Sequence, residues 1–115
     1  MIDPRLVPRV AERFKMLGDP GRLSVLAVLQ DGEKNVSEIV RATRRSQPSV
    51  SRNLSQLSRA GIVSGRREGS RVYYSIADRL LSRLCEVTCA SLAAHAREEA
   101  RALRGLASGA GRARA

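Results

Sequence analysis

At 115 residues the chain has room for one domain, or one domain with tails, and a monomer of that size buries only a modest core that a second copy would supplement. Its 21 Lys+Arg outweigh 11 Asp+Glu, giving a net charge of +10; nearly all of the positive charge is arginine, which favours planar two-point contacts to phosphate or guanine and implies an anionic partner. With Phe14, Tyr73 and Tyr74 as its aromatics it lacks the stacking platforms of a single-strand binder, and no stretch approaches the roughly 20 apolar residues that span a bilayer.

Asp3–Pro4 reads as an N-cap followed by a first-turn proline, opening a helix to about Leu17 with Leu6, Val10, Phe14 and Leu17 along one side. Pro8 interrupts the pattern, so a late start is expected, and Gly18 ends it. Asp19–Pro20 repeats the cap-plus-proline signal for a second helix to about Gln30, whose Leu23, Leu26, Ala27 and Leu29 read as core. Asp31–Gly32 is a turn. A short third helix runs from Asn35 to Thr43, with Val36, Ile39 and Val40 inward and Asn35 or Ser37 as cap. Arg44–Arg45 bridge to a fourth helix, capped by Ser46 and stopped by Gly61, in which Val50, Leu54 and Leu57 recur at helical spacing.

After Gly61 the pattern turns β-branched and aromatic: residues 62–64 and 72–76 flank Glu68–Gly69–Ser70 as a hairpin, with Arg66, Arg67 and Arg71 at its tip. Asp78 can cap a fifth helix from about Arg79 to Leu103, with a stripe of Leu81, Leu84/Cys85, Thr88/Cys89, Leu92 and Ala96. The last stretch, residues 105–115, is Gly, Ala, Ser, Leu and Arg and reads as a flexible basic tail beyond a domain of residues 1–104. The fold expected is mostly α with a small β-hairpin: five helices plus a two-stranded wing.

Helix, turn, helix and hairpin together suit duplex DNA. The outward side of the fourth helix carries Pro48, Ser49, Arg52, Ser55, Gln56 and Arg59, groups able to meet base edges in a major groove. Gln47 and Asn53 have the amides for adenine, Arg52 the guanidinium for guanine, and Ser49 and Ser51 the hydroxyls for phosphates or base edges. The wing arginines Arg66, Arg67 and Arg71 would enter a minor groove or pair with phosphates. Either feature alone is equally well a solvated face or a charge-protected edge; the two together, in a chain of this charge, favour DNA. A protein-docking winged-helix scaffold is the competing class. An enzyme has little support: there is no glycine-rich phosphate loop, and His95 is the one histidine.

Three stretches resemble the ArsR/SmtB family of bacterial winged-helix repressors: LGDPGRLSVLAVL (residues 17–29), SQPSVSRNLSQLSRAGIV (residues 46–63) and RREGSRVYYSI (residues 66–76). The second departs from the family pattern by carrying Asn53 where a histidine is common. The resemblance implies a homodimer, paired here through Leu6, Val10 and Phe14 of the first helix and Leu81, Leu84, Cys85, Thr88 and Leu92 of the fifth. It further implies an operator with imperfect two-fold symmetry, recognition helices about 34 Å apart, and release on binding an inducer.

The family's sensing sites are mostly missing. Asn35 and Ser37 stand where third-helix thiols would lie; at the fifth-helix zinc site Asp78 matches, but Leu80, Ser91 and Ala94 replace the other ligands, so Asp78 is better read as a cap. Cys85 and Cys89, one turn apart, remain, and three readings of them stay open: buried small hydrophobes, ligands of a thiophilic metal(loid) ion, or thiols for an oxidant or reactive sulfur species. No cofactor is otherwise expected. The N-terminal MIDPRLVPRV lacks the apolar core of a signal peptide, so a cytoplasmic protein with reduced thiols is expected.

Overall fold

The structure is a computed structural model describing residues 1–114, with side chains described through residue 109. Asp3 accepts the Arg5 N–H and caps a 3-10 turn, Pro4–Leu6, which leads into α1 (Val7–Leu17). Pro8 therefore falls in the first turn of α1, where no intrahelical partner is lost, and does not break it. Asp19 caps α2 (Pro20–Leu29). A two-residue strand, β1 (Lys34–Asn35), precedes α3 (Val36–Thr43). Asn35 is the cap of α3: its Oδ1 accepts the Glu38 N–H at 2.9 Å and Glu38 Oε1 accepts the Asn35 N–H at 3.0 Å, a reciprocal box. Arg44, left-handed at φ 57°, ends α3 and makes the tight turn into α4 (Gln47–Arg59). Gly61, at φ 73°, closes α4: the Ile62 N–H reaches Leu57 O at 2.9 Å and the Gly61 N–H reaches Ser58 O at 3.0 Å.

β2 (Val63–Glu68) and β3 (Arg71–Ile76) pair antiparallel from Val63↔Ile76 to Glu68↔Arg71. Only Gly69 and Ser70 are left to turn the chain, with Gly69 left-handed at φ 63°, the glycine-first pattern of a type II′ turn. Two expectations change here. Arg66, Arg67 and Arg71 lie in the strands and not at the tip, because the ladder runs to the last residue before the turn. The sheet also has three strands, not two: β1 pairs along β3 through Lys34↔Tyr74 and Asn35↔Tyr73, giving the order β1-β3-β2. A strand of two residues has no alternation to announce it; its partner decides it.

The core lies where α2, α3 and α4 meet the sheet. Val25, Leu26, Leu29, Ile39, Val50, Leu54, Leu57, Ile62 and Val63 are buried there. Burying side chains of this size is worth about 1.5–3 kcal/mol each, so the stripe Val50, Leu54 and Leu57 fixes which side of α4 faces inward.

The chain divides into two compact units, Met1–Ser82 and a second beginning at Arg83. The helix α5 (Arg79–Arg114) starts in the first, with Asp78 Oδ1 accepting the Leu81 N–H at 3.1 Å, so Asp78 is a cap. The expected end near Leu103 is passed, and the stretch read as a flexible tail is helical as far as Arg114; Ala115 lies outside the described residues. Alanine and arginine propagate a helix well once it is nucleated, even with glycines interspersed and every side chain from residue 101 to 109 exposed.

Candidate nucleic-acid interface

Ser46 Oγ accepts the Ser49 N–H at 3.2 Å, and Pro48 occupies the first turn, so α4 starts sharply. Gln47, Ser51 and Arg52 are exposed and Ser49 is half-buried, all beside or within the first turns of the helix. Farther along, Arg59 donates to Ser55 Oγ at 3.2 Å on the solvent side.

Two of the α4 residues read as DNA contacts are placed otherwise. Asn53 is 7% exposed and belongs to the buried side of α4; a Cβ on Gly21 would lie 2.7 Å from its Nδ2, so α2 packs over it. It does not present its amide beside Gln47 for adenine. Gln56 is half-buried, and its Oε1 accepts from Arg22 Nη1 at 3.0 Å. The same guanidinium donates to Met16 O at 2.6 Å and Lys15 O at 3.1 Å. Arg22 thus clamps the end of α1 to the middle of α4, while its own N–H and that of Gly21 hold the Asp19 carboxyl below its usual range, with the charges of Arg22 and Arg45 assisting.

On the wing, Arg66 is committed to the protein. It grips Glu33 through Nη2 at 2.6 Å and Nε at 3.1 Å, meets Glu68 at 2.7 Å through Nη1, and lies 5.2 Å over the Tyr73 ring. These carboxylates raise the Arg66 pKa, and Arg66 in turn holds Glu33 below the usual carboxylate range. Apart from Arg5–Asp3, the Arg66 pairs are the ion pairs among the described residues. Arg52, Arg67 and Arg71 therefore have no carboxylate within 4 Å there, and neither do Arg44 and Arg45 in the turn before α4 or Arg41 on α3. Arg71 and Gln47 line one groove with Asn35, Ser37 and Arg41, so the wing and the start of α4 border the same space. Arg44 and Arg45, expected only to bridge α3 and α4, stand immediately before the Ser46 cap and belong with this basic surface, a position visible in the sequence.

Of the interface residues expected on α1, Phe14 is 54% exposed, Leu6 is exposed and Val10 half-buried. On α5, Leu81 and Cys85 are half-buried, and Leu84, Thr88 and Leu92 exposed, Leu92 at 66%. Cys89 is exposed. Burial pushes the Cys85 thiol up, and the Glu86 charge adds to this over a weaker opposing backbone hydrogen bond. Among the described residues no three His, Cys, Asp or Glu side chains cluster to hold a metal. Nor is any helix there long and apolar enough to cross a membrane.

The family model for bacterial regulatory proteins of the arsR family matches residues 19–64, from the cap of α2 into β2. An uncharacterised HTH-type transcriptional regulator of Methanocaldococcus jannaschii is 41% identical over 71 residues, 61% of this chain and 80% of that one. The chain belongs to the ArsR family. The HTH-type transcriptional repressor SmtB of Mycobacterium tuberculosis is 33% identical over 95 residues, 83% of this ArsR-family chain and 67% of SmtB. The homodimeric winged helix-turn-helix DNA-binding domain from Mycobacterium bovis superposes with a TM-score of 0.74 at 34% identity, covering 85% of this chain and 93% of that one. As an ArsR-family protein the chain is a DNA-binding transcriptional regulator of the repressor kind, and its winged helix-turn-helix architecture is that of its relatives.

Proposed function

We propose that the protein acts as a homodimer on an operator of imperfect two-fold symmetry and represses transcription until an inducer releases it. Each subunit lays the first half of α4 in a major groove: Gln47 and Arg52 address base edges, Ser49 and Ser51 address edges or phosphates, and Arg67 and Arg71 hold the flanking backbone. Asn53 leaves the base-reading set and Arg66 the contact set, and Gln56 serves the interface with only its amide nitrogen free. The observation that carries this reading is the division of α4, with Val50, Leu54 and Leu57 sealed in the core while Gln47, Ser51 and Arg52 face solvent beside unpaired arginines. Pairing through α1 and α5 is supported by the exposed Leu6, Phe14, Leu84 and Leu92, which a lone subunit leaves in water.

Cys85 and Cys89 are the thiols open to a thiophilic ion or an oxidant. Within one chain they supply two donors, and a soft-ion site needs a third ligand from elsewhere. Gel shifts on the protein's own promoter test the reading: binding to a symmetric site is expected, with affinity falling steeply as salt rises, by about 0.9 in logarithmic slope for each phosphate contacted. A flat salt response refutes it. Retained release by thiophilic ions in the Cys85→Ser/Cys89→Ser variant removes the thiol site while leaving repression intact.

A further inference from the structure

A groove of about 510 Å³ lies between the N-terminus of α2 and the flank of α4, lined among others by Gly21, Arg45, Ser49, Arg52 and Asn53. Its floor is a notch that exists because residue 21 is glycine. A Cβ there would sit 2.7 Å from Asn53 Nδ2, 3.1 Å from Asp19 Oδ2 and 3.3 Å from Arg45 Nη1, so three polar groups converge on one point. Asn53 is 7% exposed and makes no side-chain hydrogen bond among the described residues, and its amide is not sealed from solvent, since no fully buried side-chain polar atom there lacks a partner. That amide lines the groove and is free to donate to a bound acceptor. Arg45 and Arg52 line the same groove with no carboxylate paired to either among the described residues. Asp19, the one acid in the groove, already accepts the Arg22 N–H at 2.9 Å.

What the groove offers is therefore mostly donors: an amide, two guanidiniums and the Ser49 hydroxyl, at the positive end of a ten-residue helix. That set fits a tetrahedral oxyanion. A duplex that takes the first half of α4 in its major groove carries its backbone along the helix flank, which is where the groove opens. We propose that this groove seats one phosphodiester of the operator backbone in each half-site, with Asn53 and Arg45 as its principal donors and Gly21 leaving the room. The proposal rests on the DNA-binding reading above and adds a contact from the α2 side.

The test is a methylphosphonate scan of the operator duplex, one neutralised phosphate at a time, against the wild type, Arg45→Gln and Gly21→Ala, with folding of each variant checked by thermal melting. In the wild type, one neutralised phosphate per half-site should weaken binding about tenfold, the worth of one charge-assisted hydrogen bond. Arg45→Gln should lower the salt slope by about one for each subunit, and should lose little more when that phosphate is neutralised. Gly21→Ala, folded but with the notch filled, should bind more weakly and lose the same position from its scan. If the wild type binds with a steep salt slope while both variants keep its slope and its scan, the phosphate seat is wrong and the repressor reading stands. If the wild type does not bind the duplex, both fail. Competition by inorganic phosphate at constant ionic strength, with no position in the scan standing out, would assign the groove to a free anion and overturn the proposal.

Discussion

Replacing Arg22 with alanine should cost the fold more than any other single loss of charge. The guanidinium makes three hydrogen bonds: Nε to Met16 O at 2.6 Å, Nη1 to Gln56 Oε1 at 3.0 Å and Nη2 to Lys15 O at 3.1 Å. A hydrogen bond to a charged group is worth about 1.5–3 kcal/mol. The Lys15 carbonyl is exposed and rehydrates on truncation, so the two part-buried bonds set the loss. Two bonds at the lower end of that range give about 3 kcal/mol, a large share of the roughly 5–15 kcal/mol that holds a domain folded. In melting temperature this is a fall of about 10–20 °C. Urea denaturation followed by circular dichroism, at one fixed protein concentration, measures it as a lower midpoint with an unchanged slope. Arg22→Lys should recover little, because one ammonium on a flexible stem cannot reach three acceptors spread over two helices. A double-mutant cycle with Gln56→Ala should find a coupling of about 1 kcal/mol. An alanine variant within about 0.5 kcal/mol of the wild type would refute the clamp, and with it the account of how α1 is fastened to α4.

On the wing, Arg67→Ala and Arg71→Ala should each reduce the salt dependence of operator binding by about one unit of slope per subunit, whereas Arg66→Ala should change it less, because Glu33 and Glu68 already neutralise that charge; equal slopes for all three variants in salt-titrated gel shifts would contradict this. Asp19 and Glu33 both sit below their usual carboxylate range in the folded chain. Such groups add stability that is fully present above the unfolded values near 4 and lost as pH falls through the lower folded values. The urea midpoint should therefore be level between about pH 7 and 5 in respect of these two groups and fall below about pH 4, and the gap between wild type and Arg66→Ala should narrow over the same window. Cys89, exposed, should react with a thiol reagent faster than Cys85, whose raised pKa and partial burial reduce its thiolate; single-cysteine variants followed by absorbance give the two rates.

How much of this was readable from the residues depends on how local the cause was. Ser46, Val50, Leu54, Leu57 and Gly61 act within their own helix, through a cap, a stripe and a left-handed stop, and α4 follows from them with its inward side already fixed. Asp78 and the Asn35–Glu38 box are of the same kind. Leu23 and Ala27, read as core, are exposed on α2, and the other departures come where a partner distant in sequence decides. Asn53 is polar, so a helical wheel does not put it with the core; it is buried because α2 crosses over it at Gly21, thirty-two positions earlier. Arg66 reads as a free wing charge until the sheet brings Glu33 within 2.6 Å, and β1 is a strand only because Tyr73 and Tyr74 lie beside it. The motif around Asp19 shows both kinds of cause at once. Its cap and proline declare a helix start from four residues of sequence, while the roles of Gly21 and Arg22, one opening a notch under α4 and the other tying α4 to α1, exist only in the folded chain. The residues that link elements are thus the ones that pattern alone misassigns, and they are also where a change in one helix would be felt by the helix proposed to read DNA.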